Sequence, residues 1–391
     1  MAGSYKARVA EFDDFLKSDK FDVARLRQLA FGGVPEGKGR RSLVWKLLLS
    51  FLPLKRAEWA SVLDKQRNSY DQFVQDLIVN PQAEDNVGDH PLSNDPDSQW
   101  SKFFKDNDVL LQIDKDCRRL LPDISFFQHP TGYPFKTGGM SLRTRVERTV
   151  LEAKQVGTSR GGTRNISVVQ RSSVSEEYYV LAEGQEAHWE VVERILFIYA
   201  KLNPGVSYVQ GMNEIAGPLY YVFASDPDPE WQKYAEPDTF YCFTSLMSEI
   251  RDNFIKTLDD SACGIGAMMV QMMLMLKEAD FELWTALETK QLKPQFFAFR
   301  WLTLLLSQEF FLPDVIRFWD SLFADEQQFQ FLIHVCCAML IVIREQLLED
   351  DFATSLKLLQ RYPSVDVHQI LEKAVELKEI MKVAADVTHS E

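Results

Sequence analysis

Trp189-Glu190-Val191-Val192-Glu193-Arg194-Ile195-Leu196-Phe197-Ile198-Tyr199-Ala200-Lys201-Leu202, then Asn203-Pro204-Gly205, then Ser207-Tyr208-Val209-Gln210-Gly211-Met212-Asn213, is the stretch that decides the fold class. Trp189, Val192, Leu196, Tyr199 and Leu202 recur every three or four residues, the period of a helix with one apolar face. Asn203-Pro204-Gly205 ends that face, because proline cannot continue a helix interior. Beyond Ser207 a second apolar face runs through Met212, Ile215, Ala216, Leu219 and Phe223. Two helices joined by a turn are predicted.

The same period recurs on both sides. Upstream it runs from Val23 to Ala30, resumes after Gly32-Gly33-Val34-Pro35 at Leu43, Val44, Leu47 and Leu48, and returns from Trp100 through Phe103, Phe104, Leu110, Ile113, Cys117 and Leu120 until Pro122 closes it. Downstream, after a Pro/Asp-rich break at Asp226 to Pro229, it runs through Phe240, Phe243, Met247, Ile250, Phe254 and Leu258, with further helices to the C-terminus. Met268, Met269, Met272 and Met273 read as core filler at helical spacing. No succession of strand-like alternation and no repeat of solenoid length interrupts this pattern. An irregular all-α fold follows. Thr131 to Gly184 differs: its middle, Gly157 to Ser175, is rich in Gly, Ser, Thr and Arg and reads as a mobile insertion.

Composition narrows the function classes. With 57 acidic against 43 basic residues, the average surface field repels nucleic acid and anionic lipid. The odd set Cys117, Cys242, Cys263, Cys336 and Cys337 shows no CxxC pair or His at metal spacing, so buried thiols in a reducing compartment are expected, and no metal site. The histidines are scattered, which leaves His-based catalysis unsupported. Asn165-Ile166-Ser167 matches a glycosylation acceptor but is discounted on the cysteine pattern. No apolar leader follows Met1, and the longest apolar stretch, Phe331 to Ile343, is too short to span a bilayer, so a soluble cytoplasmic protein is expected.

Three local patterns carry candidate chemistry. Gly32 to Lys38 matches the first part of a phosphate-cradling loop. Gly39 replaces the Mg²⁺-holding hydroxyl, Pro35 removes a backbone donor, and a helix precedes the loop, so a helix-to-helix turn is expected instead. Arg118 and Arg119 fall in a last helical turn, where any cation is favoured, and Asp116 lies three residues before Arg119. Ser207 to Gln210 fits a capping box, but that account leaves out Tyr208, and leaves Gly211 where glycine weakens a helix by about 1 kcal/mol. Close approach by another backbone is the expected reason for Gly211.

Taken in order, the motifs resemble the TBC-domain family of Rab GTPase-activating proteins, from about Leu29 to Tyr362. Arg41-Ser42-Leu43-Val44-Trp45 is similar to RxxxW, Ile113 to Arg119 to IxxDxxR, Tyr208 to Asn213 to YxQGMN, and Arg317-Phe318-Trp319-Asp320 to the later RxWD segment. Leu120, where many members have Thr, and the long insertion depart from the pattern.

The resemblance implies an irregular multi-helix domain of two helical subdomains. The expected bounds are an N-terminal extension over 1–28, the domain over 29–345 with subdomains 29–225 and 235–345 and the insertion over 131–184, and C-terminal helices over 346–391. It further implies Arg119 as an arginine finger and Gln210 as a glutamine finger, both acting in trans on a GTP-bound Rab in vesicle trafficking. Ile113, Asp116, Tyr208, Gly211 and Asn213 are expected to support them, and Arg41, Trp45, Arg317, Trp319 and Asp320 to be structural. The chain itself is then not a hydrolase; GTP and Mg²⁺ belong to the partner, no cofactor is bound, membrane contact comes only through the Rab, and a monomer is expected. The rival is a catalytically silent Rab-binding or scaffolding module.

Overall fold

The computed structural model describes residues 2–78, 99–135, 142–147, 149, 181–182, 184–255, 264–327 and 329–388. Among them helices and short 3₁₀ turns are joined without a named strand, and only isolated bridges such as Pro130 to Ala187 occur. In chain order the helices are α1 (Ala2–Phe15), α2 (Val23–Phe31), α3 (Arg40–Leu48), α4 (Trp59–Leu77), α5 (Gln99–Cys117), α6 (His188–Leu202), α7 (Met212–Ala224), α8 (Pro229–Gln232) and α9 (Ala235–Ile250). They continue as α10 (Ile265–Ala279), α11 (Phe281–Thr289), α12 (Ala298–Thr303), α13 (Leu312–Ala324), α14 (Gln330–Val342), α15 (Arg344–Glu349), α16 (Phe352–Gln360) and α17 (Val367–Thr388). The helix expected from Trp189 is α6, ending at Asn203, and the one closing before Pro122 is α5.

The chain divides into two compact units that are not continuous in sequence. One comprises 1–65, 218–232 and 241–391, the other 66–217 and 233–240. The expected sequential cuts near 28, 225 to 235 and 345 therefore differ from the spatial division. The reason lies in packing: α2 and α3 lie against α13, and α17 lies against α14, so both chain ends join the same unit. In α17 the apolar residues Val367, Ile370, Leu371, Ala374 and Leu377 fall at helical spacing and are buried.

In the first unit the buried Asp320 gathers the sequence motifs into one cluster. It accepts hydrogen bonds from Arg41 Nε (3.1 Å), Trp45 Nε1 (2.8 Å) and the Val34 amide (2.8 Å). Burial raises its pKa, and Arg41 with these donors works against that shift. Trp319 donates to the Leu305 carbonyl at 2.9 Å and lies 6.0 Å from Trp45, while Arg317 donates to Ser321 Oγ at 2.8 Å. The Gly32 to Lys38 turn is filled from outside: a Cβ on Gly32 would meet Arg8, on Gly33 Arg317, and Lys38 pairs with Asp13 at 3.1 Å. The segment joins α2 to α3, in line with the helix-to-helix turn expected there.

The methionine run behaves as filler: Met269, Met272 and Met273 are buried on α10, with Met268 half-buried. Cys117, Cys242, Cys336 and Cys337 are buried thiols, and Cys263 lies outside the described residues.

The second unit places α5 against α6. On α6 the buried Arg194 pairs with Glu236 (2.6 Å) and Glu186, and the half-buried Lys201 pairs with Asp106 (2.8 Å). Of the segment expected to be a mobile insertion, some of the described residues are packed. The Thr131 amide donates to the Glu186 carbonyl at 2.8 Å, and in a helical stretch over 142–147 Leu142, Arg145 and Val146 are buried. Arg145 donates to Asn107 Oδ1 at 2.6 Å and lies 3.8 Å from the Phe103 ring centre. Gly157 to Ser175 and Asn165 lie outside the described residues.

Candidate functional site

The second unit brings the end of α5 and the start of α7 together. Ile113 is fully buried and seats α5 in the core. One turn later Asp116 Oδ2 receives the Tyr208 hydroxyl at 2.8 Å, and Asn213 Nδ2 donates to the Asp116 carbonyl at 3.3 Å. Tyr208 Oη also lies 3.3 Å from Asn213 Oδ1, but a phenol has one proton, and the shorter bond to a carboxylate takes it. Burial, reinforced by Cys117 and Asp116, pushes the Tyr208 pKa far above its ordinary value, so it remains a protonated donor.

The two side chains at the edges of this cluster are exposed. Arg119 is 69% exposed; its Nε donates to the Lys115 carbonyl at 3.0 Å, and its guanidinium stands 3.8 Å from Asp116. Gln210 is exposed and makes no side-chain hydrogen bond among the described residues. The capping box expected over Ser207 to Gln210 is therefore not formed. Helix α7 starts later, at Met212, and Ser207 sits at φ +56° inside the turn. Gly211 has φ +101°, a conformation that side chains disfavour, which is itself a reason for glycine at this position.

Arg118 differs from its neighbour in every contact. Its Nε lies 2.9 Å from both oxygens of the Asp114 carboxylate, and its guanidinium lies 4.5 Å from the Trp189 ring centre. Burial disfavours its charge, but Asp114 outweighs burial and raises its pKa. In the same cluster Glu193 is fully buried, and neither of its oxygens is hydrogen-bonded among the described residues. Burial and then the Asp114 charge raise its pKa well above the ordinary carboxylate value. On the other side of Arg119, Leu120 is buried, and a Cβ on Gly217 would stand 2.8 Å from Leu120 Cδ1. The Asp114 to Arg118 spacing was available as an i,i+4 pair. No sequence signal pointed to Trp189 or Gly217, which depend on helix packing.

Among the described residues no group of three or more His, Cys, Asp or Glu could hold a metal, and no helix is long and apolar enough to cross a membrane.

Comparison with known proteins agrees with these motifs. The chain is 57% identical to TBC1 domain family member 13 of Homo sapiens and to that of Mus musculus, over 97% of this chain and all of each relative. It is 38% identical to a TBC domain-containing protein of Schizosaccharomyces pombe, over 97% of this chain and 74% of that one. The crystal structure of the Ypt/Rab-GAP domain of Gyp1p shares the fold, with a TM-score of 0.68 at 23% identity over 97% of this chain and 99% of that chain. The Rab-GTPase-TBC domain profile matches residues 175–348. With α5, α6 and α7 presenting the motifs and a relative this similar along its whole length, the chain belongs to the Rab-GTPase-TBC domain family.

Proposed function

We propose that this chain is a GTPase-activating protein for a Rab-class small GTPase, with Arg119 and Gln210 acting in trans on the partner's bound GTP. The observation that carries this reading is the pairing of two exposed polar side chains with one buried network: Arg119 and Gln210 leave the surface from segments tied together by Asp116, Tyr208 and Asn213. Residues that act on a partner's substrate need no pocket of their own. Two surface cavities of about 450 and 460 Å³, lined in part by Phe296 and Lys357 and by Phe31 and His368, contain none of these residues.

In this mechanism the partner brings GTP and Mg²⁺. Hydrolysis is slow because charge builds up on the phosphate oxygens and the attacking water is poorly held; an arginine supplied in trans accelerates it by about 10³ to 10⁵. Arg119 offers a planar guanidinium fork that spans two oxygens. Its bond to a helix carbonyl and its 3.8 Å contact with Asp116 hold it loosely enough to be exchanged for phosphate. Gln210 carries both an acceptor and a donor on one amide, as positioning a water requires. Rab recruitment would account for action in vesicle trafficking at a membrane surface without a spanning helix.

The test is stimulated GTP hydrolysis across a panel of purified Rabs. At least one should respond, and Arg119→Ala and Arg119→Lys should each lose most of the stimulated rate. A Rab that binds the chain without faster hydrolysis would favour a silent binding module.

A further inference from the structure

We infer that Arg118 is a positioning residue for Arg119: it clamps the end of α5 to α6 so that the exposed side chain beside it leaves the surface from a fixed point. The inference rests on the proposed role of Arg119. A group that must exchange its contacts to reach a partner cannot itself be held by strong bonds, so its aim must come from the chain on either side. Arg119 meets that description, since among the described residues its side chain holds only one carbonyl and a long carboxylate contact.

Arg118, about 3.8 Å away along the backbone, is fixed from four directions. Its Nε shares a bifurcated bond between the two Asp114 oxygens at 2.9 Å each, and its guanidinium lies over Trp189 of α6 at 4.5 Å. Its amide donates to the Asp114 carbonyl at 3.0 Å, and its carbonyl accepts from Gln128 Nε2 at 3.3 Å. Asp114 and Trp189 are themselves buried, so both partners are rigid. Leu120, packed at Gly217, anchors the other side. Only an arginine both pairs through Nε and lays a flat cation on an indole; lysine keeps the charge but not the plane.

A positional error of about 1 Å at a catalytic group can lower a rate by about a hundredfold. Arg118→Ala should therefore lower the stimulated kcat by about ten- to a hundredfold, with KM for the GTP-bound Rab within about twofold. Arg118→Lys should fall between. The decisive measurement is the cycle with Arg119→Ala. If Arg118 acts through Arg119, the double variant is no slower than Arg119→Ala alone, within about twofold. A residue that only holds the fold together would multiply the two losses and lower activity in step with the folded fraction.

Amide hydrogen exchange supplies a readout independent of activity: Arg118→Ala should speed exchange at 119–121 while the amides of α6 and α7 stay protected. Multiplicative losses, or unchanged exchange at 119–121, overturn the inference. If the unsubstituted chain stimulates no Rab, the functional reading fails separately, and the exchange arm still decides whether the clamp exists.

Discussion

Gly217→Ala sets two opposed effects against each other at a single methyl group. In a helix interior, Gly to Ala stabilises by about 1 kcal/mol. Here the added Cβ would lie 2.8 Å from Leu120 Cδ1, 3.1 Å from Cδ2 and 3.2 Å from Cγ. Carbon atoms rest at about 3.5 to 4.0 Å, so Leu120 must retreat by about 0.7 Å or more, and at 1% exposure it has no solvent to retreat into. Overpacking of this kind costs about 1 to 3 kcal/mol. The net is a destabilisation of about 0 to 2 kcal/mol. The kinetic effect should be larger than the stability effect, because the displaced residue adjoins Arg119: the stimulated kcat should fall by about tenfold or more. Thermal melting and single-turnover GTP hydrolysis with a responsive Rab measure the two separately. Adding Leu120→Val, which removes the crowded Cδ atoms, should recover the rate. A Gly217→Ala protein that is more stable by about 1 kcal/mol and fully active would refute the argument, since Leu120 would then be free to move without disturbing the turn.

Gln210→Ala should leave the melting temperature nearly unchanged, because the exposed side chain caps nothing, while the stimulated kcat falls by orders of magnitude. A loss near 1 kcal/mol with full activity would restore a capping role. The partner supplies the control: a Rab with Ala at its own catalytic glutamine should still respond to the unsubstituted chain. Asp320→Asn removes the charge facing Arg41 in a buried cluster and should destabilise by about 3 to 5 kcal/mol in denaturant unfolding, with kcat per folded molecule unchanged. Glu193→Gln addresses pH. The folded pKa of Glu193 is raised above the unfolded value, so its contribution is fully present below about 4.5 and is lost as pH rises from there through the folded value. Between pH 5 and 8 the wild-type protein should lose stability relative to the glutamine variant; parallel stability curves would show the carboxyl to be charged or solvated in the fold.

The helices were legible because each needs only local information. Apolar residues three and four apart mark α6 whatever it packs on, and Asn203-Pro204-Gly205 stops it by backbone chemistry alone. The motif residues were likewise visible by type and order. What they do in space was not. Gln210 fitted a cap on paper, yet the turn continues to Met212 and leaves it exposed, while Gly211 serves a positive φ. Arg118 and Arg119 are the same residue type in adjacent positions; the arrival of Trp189 and the placing of Asp114 hold one firmly, while the other is exposed and loosely held. Composition marked 131–184 as an insertion, but Arg145 finds Asn107 and Phe103 there, contacts between residues far apart in sequence. Likewise the ends of the chain, which the sequence set apart, join one unit because α2 meets α13 and α17 meets α14. Periodicity and turn chemistry are local and act on each segment by itself, whereas partner choice depends on which faces the folded chain brings together. The sequence determined the elements, and only tertiary packing decided which of two neighbouring arginines is held and which is presented.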